Sequence, residues 1–172
     1  MVDPSRHASD RNWFESILRY IPGFRGYLEQ EYRRESDFLL RSWLADQLQG
    51  SKRGLDDFLR KLVDAVKLDD LPSFERVRSR LDGYIAKLRS AERGYSAMFD
   101  YVRIREEELD LAYQVDSGLV DETQAFVNAV AQLSAATETP AALATGLLAQ
   151  IDNLEKLFAE RGNILKGTSN AT

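Results

Sequence analysis

Apolar side chains recur at helical spacing along nearly the whole of this chain, and strand-like alternation survives nowhere. Such a chain buries its apolar faces only by packing helix on helix. The pattern therefore predicts an all-α, single-domain bundle of five or six helices, with long, coiled-coil-like members. The length of 172 residues suits one sizeable core. The bundle is expected over residues 10–165, between disordered tails at 1–9 and 166–172.

The first helix is short. Over 11–21, Trp13, Phe14, Ile17, Leu18 and Ile21 fall within about 140° of arc. Asp10 is placed to cap its start. Pro22 ends it, because proline has no N–H to donate and disfavours helical geometry at the preceding Ile21. Gly23 or Gly26 can supply the positive φ of a tight turn. A second helix is expected from Tyr27 to Gln49, charged in its first half. In its second half Phe38, Leu39, Leu40, Trp43, Leu44 and Leu48 point nearly all the way round, which places that half at the centre of the fold. GSKRG, residues 50–54, reads as a connector. A third helix at 53–68 sets Leu55, Phe58, Leu59, Leu62, Val63 and Val66 on one face, with Asp56–Arg60 and Asp57–Lys61 as exposed i,i+4 pairs.

DDLPS, residues 69–73, breaks the pattern. Residues 73–93 then carry a seam of Phe74, Val77, Leu81, Tyr84, Ile85 and Leu88, and Gly94 marks an end or kink. The longest periodic region spans 96–136, with Met98, Val102, Leu109, Tyr113, Val120, Val127 and Val130 on one face. Asp116 sits in the middle of that face, and Gly118 costs about 1 kcal/mol against Ala within a helix. Two readings stay open: one bent helix, or a junction at which Asp116 or Ser117 caps a new one. The spacing favours one long helix with a distortion. The last helix starts with Thr139 as N-cap and Pro140 as first helical residue. Its stripe is Leu143, Leu147, Ile151, Leu154 and Phe158, and Gly162 is expected to stop it.

The segment IPGFRGYLEQEYRRESDFLLR, residues 21–41, resembles a stretch of an uncharacterised bacterial all-helical protein family. The shared features are an Ile-Pro-Gly-x-x-Gly-Tyr turn and a charged helix opened by Gly-Tyr. The resemblance covers about 21 of the 172 residues. It implies a bacterial origin and carries over no activity and no functional residue.

Composition excludes several chemistries. Without cysteine there is no disulfide, thiol catalysis or Cys-based zinc site. The single histidine, His7, leaves no Glu-x-x-His pairs of the di-iron kind. Glu106, Glu107, Glu108 and Asp110 lie on one helix with neighbours about 100° apart, so they read as a solvated acidic face. GSKRG has the wrong order for a phosphate-binding loop and follows no strand. No nucleophile stands beside a recognisable base. The reading is a protein without enzymatic activity, metal or cofactor.

Charge is unevenly spread. Residues 73–99 carry 6 basic and 3 acidic groups, and residues 100–122 carry 2 basic and 8 acidic. The basic set is Arg76, Arg78, Arg80, Lys87, Arg89 and Arg93, flanking the apolar seam. If this helix runs antiparallel to the next, its cations lie alongside that helix's acidic start. This explains the dipolar middle without a ligand. Nucleic-acid binding is disfavoured by the net charge of −5 and the lack of a known motif.

The leading functional expectation is a helical interaction or scaffold protein that associates with itself or with a protein partner. The second is a peripheral membrane protein whose N-terminal amphipathic helix docks through Trp13, Phe14, Ile17, Leu18, Ile21 and Phe24. The third is a small-ligand-binding bundle with a polar pocket at Asp116, a residue that also reads as a helix cap or a polar register residue. The N-terminal MVDPSRHASDRN lacks the apolar core of a signal peptide, and no run approaches the ~18 apolar residues that span a bilayer. The expected address is cytoplasmic, or peripheral to the membrane.

Overall fold

A computed structural model describes residues 4–90 and 105–166. Among these residues the fold is all-α, with five α-helices and no strand. They are α1 Pro4–Tyr20, α2 Gln30–Asp64, α3 Leu71–Ser90, α4 Glu106–Gln132 and α5 Pro140–Leu165. Single 3₁₀ turns at Leu68–Asp70 and Leu133–Ala135 join α2 to α3 and α4 to α5.

Four helices form a ring in the order α2, α3, α5, α4, and α1 lies outside it along α4. Cross-helix contacts set the directions. Arg41 bonds the Leu88 carbonyl while Lys52 pairs with Asp82 and Asp56 with Arg78, so α2 and α3 are antiparallel. Gln47 meets Gln124 and Gly54 meets Val130, so α2 and α4 run parallel. One end of the bundle thus gathers residues 21–29, the starts of α2 and α4, and the ends of α3 and α5. The other gathers the end of α2 and the α4–α5 turn. We call these the elbow end and the far end.

The ring explains where the α3 cations go. Because α3 and α4 sit on a diagonal, the acidic start of α4 is not beside them. Arg78 pairs instead with Asp56 at 3.4 Å and Arg89 with Asp46 at 3.3 Å, both on α2. Arg80 bonds Asp152 at 2.6 Å and Glu155 at 3.1 Å on α5. Its pKa is raised, first by the bond to Asp152. Arg93 lies outside the described residues. At the acidic start itself, Glu107 is exposed, while Glu108 closes a capping box by accepting from the Arg105 N–H at 2.9 Å.

Several expected boundaries are corrected. α1 begins at Pro4, so Asp10 lies inside the helix and residues 4–9, expected in a tail, are helical. GSKRG is not a connector, since α2 runs unbroken through it. Gly50 and Gly54 each weaken a helix by about 1 kcal/mol, yet Gly54 lets α4 approach. A Cβ built there would stand 2.8 Å from Val130 Cγ1. The Lys52–Asp82 pair at 2.5 Å ties the same turn to α3. The helix stops at Asp64 in a Schellman motif, with Lys67 N–H donating to the Leu62 carbonyl at 2.9 Å and Val66 N–H to Val63 at 3.0 Å. The left-handed residue of that motif is Val66, with φ of 58° and 77% of its surface exposed, where glycine is usual. Val66 and the half-exposed Val63 therefore leave the apolar face assigned to them. The i,i+4 pairs are replaced too: Asp57 meets Arg60 at 3.6 Å, one residue closer along the helix.

α4 runs unbroken through Asp116 and Gly118, but it starts at Glu106 after an extended Arg105 and ends at Gln132, so the region expected at 96–136 is not one helix throughout. Met98, Val102 and Gly94 fall outside the described residues. In α5 the Thr139 cap accepts from Ala142 N–H at 3.3 Å, as the sequence predicts, but the helix continues past Gly162 to Leu165. The predicted tail at 167–172 is outside the described residues, with Lys166 capping α5. The core is the expected one in α3, where all six seam residues are buried. In α2, Leu40, Leu44 and Leu48 are buried, Leu39 and Trp43 pack against the core, and Phe38 is 46% exposed.

Candidate functional site

The feature that sets this bundle apart is a set of charged side chains inside its elbow end. Asp37 and Arg41 stand one turn apart on the inner face of α2, in line with Leu44 and Leu48. Asp116 occupies the middle of the α4 face. Arg161 continues the α5 stripe of Leu147, Ile151, Leu154 and Phe158 at the same 4,3 spacing. Tyr27 enters from the elbow. Arg161, Asp116 and Tyr27 have no exposed surface, Asp37 has 2% and Arg41 3%.

Arg161 is the hub. Its Nε donates to Asp116 Oδ1 at 2.6 Å and its Nη2 to the Tyr27 hydroxyl at 2.7 Å. Its Nη1 stands 2.7 Å from Asp37 Oδ1, an ion pair set off the direction of an aligned hydrogen bond. The Tyr27 hydroxyl donates to Asp116 Oδ2 at 2.5 Å, closing a three-membered ring. Arg41 Nε and Nη2 both reach Asp37 Oδ2 at 2.8 Å, and Nη1 donates to the Leu88 carbonyl at 3.0 Å. Two arginines face two carboxylates, so the cluster is neutral when all are ionised. It joins the elbow to α2, α3, α4 and α5.

The electrostatics follow from burial against pairing. Burial works against the Arg161 charge, but Asp116, Tyr27 and Asp37 outweigh it and hold the guanidinium well above its ordinary value. Burial also raises the Asp116 carboxyl, and Arg161 with the Tyr27 hydrogen bond only partly oppose it. Tyr27 is raised well above a usual phenol, chiefly by burial. Taking away Arg161 strands the Asp116 charge in the core, which costs about 3–5 kcal/mol.

Around this cluster the elbow is built as its residues suggest. Gly23 and Gly26 have φ of 88° and 81°. A Cβ on Gly26 would collide with the Tyr113 hydroxyl, which accepts from Tyr27 N–H at 2.8 Å. The Tyr27 carbonyl accepts from Arg33 Nε at 2.6 Å, and Arg25 N–H donates to Ser36 Oγ at 3.1 Å. Tyr27 stacks on Tyr113 with centroids 5.6 Å apart, and Phe24 meets Tyr27 edge-on at 5.6 Å.

The predicted docking face divides. Ile17, Ile21 and Phe24 belong to the core, and Phe14 packs against Phe24 and Tyr113. Trp13 is half-buried, and Leu18 alone of the six is exposed, at 38%. Tyr20 shares that outer side and rests on Trp43 at 5.7 Å. Asp116 is buried and engaged by Arg161 and Tyr27, so its oxygens face partners within the chain.

A second surface lies at the far end. The outer sides of α4 and α5 leave a groove of about 390 Å³ lined by Ala129, Leu133, Ala142, Leu143 and Gly146. Among the described residues no helix is long and apolar enough to cross a membrane, and no three metal-binding acids or histidines gather.

Compared with models of known families, with curated proteins and with solved structures, the chain matches none.

Sequence reasoning singled out Asp116 and missed Asp37, Arg41 and Arg161. The signal was there: each falls at a seam position of its helix, one turn beyond an apolar neighbour. Two acids and two arginines in apolar stripes invite each other.

Proposed function

We propose that the protein is a non-enzymatic helical interaction protein that associates with itself. One observation supports this above others. Residues 123–151, the end of α4 and the first half of α5, carry a single charge, Glu138, in a chain that is 30% charged. The outward positions there are small: Ala125, Ala141, Ala142, Thr145, Gly146 and Ala149 are all exposed. Small side chains let helices approach closely, and a neutral surface loses no ionic hydration on contact. A second copy brings the same neutral face, so the net charge of −5 raises no repulsion across the contact. The apolar stretch at 38–48 lends less support, since most of it fills the core. A cysteine-free composition suits a reducing compartment, and we place the protein in the cytoplasm.

Sedimentation over a wide concentration range tests the reading. The wild type is expected to gain mass with concentration, and Ala142→Glu/Ala149→Glu to stay monomeric with unchanged helicity. A wild type that remains a monomer throughout removes self-association; a variant that still associates moves the contact elsewhere.

A second reading, docking at a membrane surface, is supported by Leu18, Tyr20 and Leu28, exposed at 38%, 38% and 67% beside the exposed Arg19 and Arg25. It predicts flotation with anionic vesicles that Leu18→Glu/Leu28→Glu abolishes. Wild type left at the bottom of the gradient ends it.

A further inference from the structure

The ionic cluster and the elbow are joined in an uneven way. Arg161 holds Asp116 and Asp37, and Arg41 holds Asp37 and the Leu88 carbonyl. Those links connect α2, α3, α4 and α5 to each other without any help from α1 or the elbow. Among the described residues, the polar bonds that fasten the N-terminal arm to the ring gather at its end, most of them on one residue. Tyr27 uses its N–H on Tyr113, its carbonyl on Arg33, and its hydroxyl on both Asp116 and Arg161. Arg25 N–H adds a bond to Ser36 close by. Ahead of these, the described side chains of the arm rest on apolar contact: Phe14, Ile17, Ile21 and Phe24 against the core, and Tyr20 against Trp43. Within the ring α1 packs mainly on one helix, α4.

We propose that residues 4–27 form a strap that opens as a unit while the four-helix ring stays folded, with Tyr27 as its bolt. Withdrawing Tyr27 leaves Asp116 with Arg161 and Asp37 with both arginines, so no charge in the ring loses its last partner. Opening uncovers Phe14, Ile17, Ile21 and Phe24, the apolar face that the closed form hides. Closure is registered by Gly26, whose positive φ and missing Cβ let the backbone meet the Tyr113 hydroxyl. This inference stands apart from self-association through the α4–α5 face.

The absence of cysteine makes the test clean, because a single introduced thiol reports one position. Ile21→Cys reports the strap and Leu154→Cys the ring; both native side chains are buried. With a thiol reagent in native buffer, Ile21→Cys is expected to label much faster than Leu154→Cys and with weaker dependence on urea. Adding Tyr27→Phe should speed Ile21→Cys labelling on the order of ten- to a hundredfold, the effect of losing hydrogen bonds to charged groups. Leu154→Cys labels only when the ring itself unfolds, so its slower rate and steep urea dependence should persist in the Tyr27→Phe background. Equal rates with equal urea dependence at the two positions overturn the strap, as does an Ile21→Cys rate that Tyr27→Phe leaves unchanged. Hydrogen exchange on the unmutated chain gives the same decision without any variant. Amides of α1 and the elbow should open before those of α2, α3 and α5, and a common rate for all of them refutes the proposal.

Discussion

At the elbow end, two arginines and two carboxylates meet inside the core, with links of 2.6–3.0 Å that span four helices. At the far end α2 and α4 touch over Gly54 and Val130, and the neighbouring stretch 123–151 holds one charge. The first arrangement is directional. A one-turn slip of α5 moves Arg161 by about 5.4 Å and breaks every bond it makes. The second arrangement is about distance alone: small residues set how near two helices lie, and a sliding displacement meets little resistance. Register is therefore decided at one end and separation at the other.

The sharpest way to break that contrast is at Arg161. Arg161→Met should lower the unfolding free energy by about 3–5 kcal/mol in urea titration, because the buried Asp116 loses its cation and Asp37 loses one of its two. Adding Asp116→Leu should recover part of the loss by removing one stranded charge. A double variant no better than the single one would show that packing, not charge, gives the hub its weight. Next come the glycines. Gly26→Ala should lose about 2–3 kcal/mol through its left-handed backbone and the collision with Tyr113. Gly54→Ala should lose about 1–2 kcal/mol, as crowding against Val130 exceeds the gain in helix propensity. Gly50→Ala, four residues earlier with nothing near its Cβ position, should gain up to about 1 kcal/mol. A gain at Gly54 would mean that the far end tolerates separation as well as sliding.

A smaller effect sharpens the comparison through pH. The folded Asp116 carboxyl sits above its ordinary value because of burial. The unfolded chain therefore releases this proton first as pH rises, and the group's contribution to stability falls between the ordinary and the raised value. Below the ordinary value that contribution is fully present. Stability of the wild type relative to Asp116→Asn should accordingly decline as pH rises from about 4. A difference that grows over that range would place the folded pKa below the ordinary one. The smallest expected effect is at Val66, where Val66→Gly should gain about 1 kcal/mol in thermal or urea unfolding by relieving a β-branched residue of its positive φ.

Much of the fold could be read from local pattern. The α3 stripe, the Thr139–Pro140 start of α5 and the Pro22–Gly26 turn each depend on neighbours within a few residues, and the structure repeats them. What the pattern could not carry was long-range. Glycines at 50 and 54 look like a break until Val130, 76 positions after Gly54, occupies the space that a side chain would take. Cations on α3 look destined for the next helix until the ring puts that helix on the diagonal. Arg161 looks like the polar edge of a stripe, because arginine is ordinarily assigned to solvent. Its burial depends on Asp37 and Asp116, placed 124 and 45 positions away. The site was half visible through Asp116, the one acid on an apolar face that was noticed.

The unbroken α2 has a mechanical consequence. Its 35 residues make a rod about 50 Å long. Asp37 and Gly54 stand on that rod roughly 25 Å apart with no joint between them. A hinge at residues 50–54 would have let each end relax by itself. Without one, any tilt that the charged hub imposes on the rod is delivered, undamped, to the contact where α2 and α4 touch.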